Sequence, residues 1–253
     1  MKLKRKPVNK IILGNCMDFL PTVPDNSVDL ILIDPPYIIS RDSGYVHNSA
    51  DKVDYIKKYG KHKIDFGEWD KTPLELDFLM SNFYRILRTG GTLISFYDVW
   101  KIQEFSESAC NHKFVQPRVG IWQKTNPVPV NSKLNYLTNS REYFVTFVKG
   151  KNPTFNSEYD NGVYTIPILH GKERVSPTHP TQKPLSLITE LINKHSNLGD
   201  TVLDCFSGTG TTGEACILTG RKFIICEADK HWYDVGLERI GKYNIGYTSG
   251  CIK

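Results

Sequence analysis

The sequence predicts a doubly wound α/β protein folded as a single domain. Three observations carry this: a buried-type strand at Val28–Ile33, a glycine-rich turn at residues 208–213 between a strand and a helix, and alternation of the two elements over much of the chain. The 253 residues, 40% hydrophobic and 23% charged, can bury a sizeable core, which excludes collagen-like and disordered classes. No apolar run approaches the roughly 20 residues a membrane span needs, and residues 1–6 lack the apolar stretch of a secretion signal, so the expected location is the cytoplasm.

Val28–Ile33 is Val, Leu and Ile broken only by Asp29, then stopped by Pro35 and Pro36; such a run suits a strand covered on both faces of a parallel sheet. Residues 74–87 have helical spacing and end at Gly90-Gly91, which leads into a strand at 92–97. Residues 184–196 read as an amphipathic helix with Pro184 in its first turn. A strand at 201–206, a helix at 211–219 stopped by Gly220, and a strand at 222–226 form a β-α-β unit. Residues 38–70 and 126–180 are polar and break the rhythm, so they are expected to be long inserted loops with a function.

The six cysteines include no Cys-x-x-Cys pair, and several lie in apolar runs, so neither a metal site nor a disulfide is expected. A net charge of +5 suits an anionic partner without requiring one.

Gly208-Thr209-Gly210-Thr211-Thr212-Gly213 follows a strand and opens a helix, and Glu227 ends the next strand. Glycines let the backbone turn tightly against a ligand, and a carboxylate so placed accepts hydrogen bonds from both hydroxyls of a ribose. A nucleoside cofactor fits. The 17 residues from Gly210 to Glu227 keep NAD, and hence an oxidoreductase, as an alternative, alongside a purely structural turn.

Asp34-Pro35-Pro36-Tyr37 begins where a strand ends, the position at which open α/β sheets place their ligand crevice. Two adjacent prolines nearly freeze the backbone and restrict the residue before each. A fixed carboxylate beside a free carbonyl is a pair of acceptors matched to a planar –NH2 group. Accepting both N–H bonds at Asp34 and the Pro35 carbonyl would draw the nitrogen of adenine or cytosine toward a tetrahedral shape and free its lone pair for attack on a methyl group. Tyr37 offers a face for the base, a contact worth about 1–3 kcal/mol in stacking platforms. The plain alternative is a strand terminator.

Together, Asp34-Pro-Pro-Tyr37 and Asp204-Cys-Phe-Ser-Gly-Thr-Gly-Thr-Thr212 resemble the S-adenosylmethionine-dependent amino-methyltransferases of DNA. The first motif precedes the second by 170 residues, from Asp34 to Asp204, an order similar to the beta group, a circular permutation of the common arrangement. Residues 65–70, 88–93, 122–127 and 179–184 add to the resemblance. It implies a Rossmann-like, seven-stranded, mostly parallel sheet with helices on both faces. By similarity Asp204, Phe206, Ser207, Gly208, Thr209, Gly210, Thr211 and Thr212 cradle the methionine part of the cofactor, Glu227 holds its ribose and Asp18 approaches its adenine. Lys183, with Gln182, is expected to start the helix that closes the carboxylate end. Asp rather than Ser before Pro-Pro-Tyr resembles the adenine enzymes, so methylation of adenine N6 is expected, with cytosine N4 as alternative and a non-catalytic DNA-binding module as a weaker one.

The expected partner is double-stranded DNA. An amine inside a duplex cannot reach a buried methyl donor, so the target base is expected to rotate out of the stack. Lys57, Lys58, Lys61 and Lys63, interleaved with Tyr55 and Tyr59, are candidates for phosphate contact, with a solvated lysine-rich loop as the alternative. Lys133, Asn135 and Arg141 are candidates for reading base edges. A homodimer and a cognate restriction endonuclease are further partners that the resemblance allows.

Overall fold

A computed structural model describes residues 9–36, 75–127, 139–171, 174–175 and 181–252. The chain divides into two units, Met1–Pro35 with Leu76–Lys253, and Pro36–Glu75; the architecture below is that of the first.

Among the described residues the chain order is β1 (Lys10–Leu13), α1 (Cys16–Phe19), a 3-10 turn (Leu20–Thr22), β2 (Val28–Ile33), α2 (Leu76–Ile86), β3 (Leu87–Tyr97), α3 (Ile102–Asn111), β4 (Phe114–Gln123), β5 (Arg141–Lys149) and β6 (Val163–Thr165). It continues through α4 (Leu185–His195), β7 (Thr201–Asp204), α5 (Thr211–Leu218), β8 (Lys222–Glu227), α6 (Lys230–Gly241) and β9 (Thr248–Cys251). The strands form one mixed sheet in the order β6-β4-β5-β3-β2-β7-β8-β1-β9. β5 pairs antiparallel with both β3 and β4; every other pairing is parallel.

Among the described residues the sheet has nine strands rather than the expected seven. The surplus lies at the two edges: β6 has 3 residues on β4, and β9 has 4 on β1. Short edge strands of this kind blunt a sheet's unpaired rim. Residues 126–180 also depart from the expected loop, because β5 runs through them between β3 and β4. The run Tyr-Phe-Val-Thr-Phe-Val is short and flanked by polar stretches, but its alternate pairing on two sides makes it central. Gly90 and Gly91 lie within β3, where Val28 pairs with Leu87 and Leu30 with Thr92, so the expected turn is a bulge in the strand. A Cβ at Gly91 would stand 2.8 Å from the Asp29 carbonyl, a close backbone approach only glycine permits.

Asp29, the one charged residue of β2, pins this bulge. Its carboxylate pairs with Arg88 of the bulge and accepts from the Thr201 N–H of β7 at 2.8 Å. The core on the β3–β5 side is aromatic: Tyr97 meets Phe105 of α3 at 4.7 Å and Tyr84 of α2 meets Phe114 edge-on at 5.3 Å. On the other half, α5 packs on β8 and α6 on β1 and β8. The six cysteines are free, and Cys16, Cys205, Cys216 and Cys226 are buried as small apolar groups.

Candidate active site

β1, β8, β7, β2 and β3 run parallel, so their carboxyl ends lie along one edge of the sheet. Four of these ends deliver a carboxylate. Asp18 follows β1 on α1, Glu227 closes β8, Asp204 closes β7, and Asp34 follows β2. Leu30 pairs with Val202 and Ile31 with Leu203, so the loops after β2 and β7 emerge from adjacent strands. Neighbouring strands stand about 4.8 Å apart, so the two loops leave the sheet side by side. Asp34 and Asp204 are close enough for the charge of Asp34 to raise the pKa of Asp204.

The glycine loop is built from the backbone outward. Ser207 N–H donates to the Cys226 carbonyl at 3.0 Å and Gly210 N–H to the Ser207 carbonyl at 2.8 Å, closing a tight turn. Gly210 has φ +76°, a left-handed conformation, and a Cβ there would meet Gly236 Cα of α6 at 3.1 Å. Phe206 and Gly208 are half-buried, whereas Ser207, Thr209, Thr211 and Thr212 are buried. The N–H groups that open α5 are a fitting end for a carboxylate.

Glu227 does more than end a strand. One carboxylate oxygen accepts from Gly208 N–H at 2.7 Å and the other from Asp229 N–H at 2.9 Å. Burial pushes its pKa up, opposed by these backbone donors. Each oxygen keeps a second lone pair, so ribose hydroxyls can still donate to it.

Asp34 is half-buried, Pro35 buried, and the carboxylate of Asp34 pairs with the Lys183 ammonium. Lys183 sits just before Pro184, the N-cap of α4, and lies 4.9 Å above the ring of Phe96. Its ammonium also lies 3.3 Å from Glu142 of β5, which in turn is 2.8 Å from Lys124. Burial pushes Lys183 down, but Asp34 and Glu142 outweigh it and hold the ammonium above its ordinary value. Burial likewise pushes Glu142 up, and Lys183 and Lys124 reverse that. Lys183 thus pairs with Asp34 on the strand-end side where the sequence reading expected it to close the cofactor's carboxylate end. Glu142 was not foreseen, its trace in the sequence being a charged residue at the opening of the apolar run of β5, and Lys124 was noted only within the 122–127 stretch of the resemblance, with no role given. Arg239 of α6 was also missed: it donates to Thr211 Oγ1 at 2.8 Å and pairs with Glu214, bracing the glycine loop from behind.

Arg141 is exposed at the start of β5, its Nε donating to Gln123 Oε1 at 2.9 Å. Gln182 accepts from Val175 N–H at 3.1 Å. Tyr37, Lys57, Lys58, Lys61, Lys63, Lys133 and Asn135 lie outside the described residues.

This sheet and its paired loops define the class, an α/β methyltransferase. Within it, the chain belongs to the N6/N4 DNA methylase family, whose profile matches residues 28–238, and is accordingly an enzyme that methylates DNA. It is 30% identical to the Type II methyltransferase M.HinfI of Haemophilus influenzae, over 92% of this chain and 68% of that protein. It is equally 30% identical to the Type II methyltransferase M2.MboI of Moraxella bovis, over 90% of this chain and 86% of that protein. Among solved structures, the M1.HpyAVI–SAM complex superimposes with a TM-score of 0.66 at 24% identity, covering 93% of this chain and 100% of that one. The cytosine-N4-specific PvuII DNA methyltransferase gives 0.70 at 15% identity, covering 97% and 92%. At these identities the likeness is one of fold.

Proposed function

We propose that this enzyme transfers a methyl group from S-adenosylmethionine to the exocyclic N6 amine of an adenine rotated out of duplex DNA. The observation that carries the reading is the adjacency of the loops after β2 and β7. It brings the candidate acceptor corner and the candidate cofactor cradle to neighbouring strand ends.

The donor set of the crevice fits the cofactor. Among the described residues Asp18, Asp34, Asp204 and Glu227 stand along the carboxyl edge, against Lys183 paired with Asp34 and Arg239 behind the glycine loop, an excess of carboxyl groups that favours a sulfonium and an ammonium. It disfavours the pyrophosphate of a dinucleotide, which weighs against NAD. The residues that would hold the cofactor are Asp204 and the loop from Phe206 to Thr212 around its methionine part, Glu227 at the ribose and Asp18 at the adenine. When bound, S-adenosylmethionine supplies an electrophilic methyl carbon.

The acceptor side falls to the chain itself. The Asp34 carboxylate and the Pro35 carbonyl accept the two N–H bonds of the target amine and orient its lone pair, while Tyr37 stacks on the base. Asp34 is then placed to take up the proton the amine loses. Lys57, Lys58, Lys61 and Lys63 contact phosphates, and Lys133, Asn135 and Arg141 read base edges, Arg141 from the start of β5. The Type II designation of the relatives supports a cognate restriction endonuclease as partner.

The test is direct. Unmethylated duplex DNA is incubated with the enzyme and methyl-labelled S-adenosylmethionine, digested, and its nucleosides separated. Label in N6-methyldeoxyadenosine is expected; label in N4-methyldeoxycytidine would transfer the reading to cytosine, and unlabelled DNA would end it.

A further inference from the structure

Four charged side chains from separate parts of the sequence form one alternating line at the acceptor corner. Lys124 follows β4, Glu142 lies on β5, Lys183 precedes α4 and Asp34 follows β2. Lys124 Nζ stands 2.8 Å from Glu142, Glu142 stands 3.3 Å from Lys183 Nζ, and Lys183 pairs with Asp34. Lys183 is the buried centre, its side chain 7% exposed and its ammonium held over the Phe96 ring. Burying an ammonium is costly unless its donors find partners, so this arrangement has a defined geometry.

We propose that Lys183 and Glu142 are positioning residues for the acceptor amine: Lys183 fixes the plane of the Asp34 carboxylate, and Glu142 fixes Lys183. This rests on the reading of Asp34 as the amine's acceptor. The two prolines freeze the backbone at Asp34 but leave its side-chain torsions free to turn. An ammonium donating to one oxygen removes that freedom. A carboxylate has about four lone-pair positions, so the bond to Lys183 leaves acceptor capacity for the amine.

The same geometry argues against a cofactor-carboxylate role for Lys183. Two carboxylates already converge on its ammonium and an aromatic ring covers it. A third carboxylate there would surround one cation with three anions. Glu142 has a separate purpose: with Lys124 behind it, it holds the lysine ammonium beside Asp34 and gives up no charge balance.

The experiment compares Lys183→Met, Lys183→Arg, Glu142→Gln and Asp34→Asn in the full-length protein. Three quantities are read: methyl transfer to unmethylated duplex DNA at saturating S-adenosylmethionine, the Kd for S-adenosylmethionine by calorimetry, and thermal unfolding. A displacement of about 1 Å in a reacting group can cost roughly 100-fold, so Lys183→Met is expected to lower kcat by about that factor with Kd changed less than about threefold. Lys183→Arg, which keeps the charge and the donor, is expected to recover at least about a tenth of the lost rate, and Glu142→Gln to lose about tenfold.

A raised Kd with normal kcat in Lys183→Met would assign the lysine to the cofactor and overturn the proposal. Parallel losses of kcat, cofactor binding and thermal stability, unrescued by arginine, would reduce it to a structural pair. Wild-type turnover by Asp34→Asn would instead remove the underlying reading of Asp34. An inactive Asp34→Asn beside a fully active Lys183→Met would sink the positioning role alone.

Discussion

Thr212 Oγ1 donates to Asp204 Oδ2 at 2.6 Å, tying the first turn of α5 to the end of β7. Asp204 Oδ1 accepts from Phe206 N–H at 3.0 Å. Burial nevertheless pushes the carboxyl up to about 7, the two hydrogen bonds opposing and the charges of Asp34 and Glu227 adding to the rise. The native state therefore keeps a proton that the unfolded chain, with an ordinary value of 3.8, has lost. Stability from this group is present below that ordinary value and falls as pH rises toward 7. Asp204→Asn has nothing to titrate, so its Tm is expected to gain on that of the wild type between about pH 4 and 7. Thermal unfolding of both proteins across that window is the check; a constant difference would refute the shift.

The brace behind the glycine loop gives a second prediction. Arg239 is 3% exposed, pairs with Glu214 and reaches the hydroxyls of Thr209 and Thr211. Removing one partner of a buried pair strands the other, typically at about 3 kcal/mol. Arg239→Met is expected to lose about that much in urea unfolding, and the double variant Arg239→Met, Glu214→Leu to recover most of it. If the single variant is as stable as the wild type, the pair contributes nothing.

How far the sequence showed this site follows from the range of each interaction. Val28–Ile33, the β7–α5–β8 unit and the helix before Ser196 are written in local periodicity and punctuation, and the structure has them within a residue or two. The two loops were legible because each follows a parallel strand. β5 was obscured because its apolar run is short and its neighbours are polar. The Lys183–Asp34 pair joins residues 149 apart, and Arg239 reaches Thr211 across 28; nothing local encodes either. Motif resemblance named Lys183 as important, and only packing decided what it touches.

Asp34→Ala is expected to abolish methyl transfer. It deletes an acceptor of the amine while Lys183 keeps Glu142 as partner, so the crevice is not left with an unpaired cation. The Kd for S-adenosylmethionine should therefore stay within about tenfold, the pattern of an interaction made with the reacting group rather than with the cofactor. Calorimetry alongside a transfer assay separates the two. Normal turnover would remove Asp34 from the mechanism.

Glu227 carries a support role and a proposed ligand role, and the two can be separated. Its carboxylate holds Gly208 N–H at 2.7 Å and Asp229 N–H at 2.9 Å, so any substitution loosens the glycine loop. Hydrogen bonds to a charged group are worth about 1.5–3 kcal/mol each, and Glu227→Ala is expected to weaken S-adenosylmethionine binding by roughly 10- to 100-fold. A cofactor analogue lacking the ribose hydroxyls resolves the source of that loss. If the hydroxyls donate to Glu227, the wild type binds the analogue more weakly than S-adenosylmethionine, and Glu227→Ala binds both alike. If Glu227 only supports the loop, the variant loses equal affinity for both compounds, and the wild-type preference for the intact ribose persists in the variant.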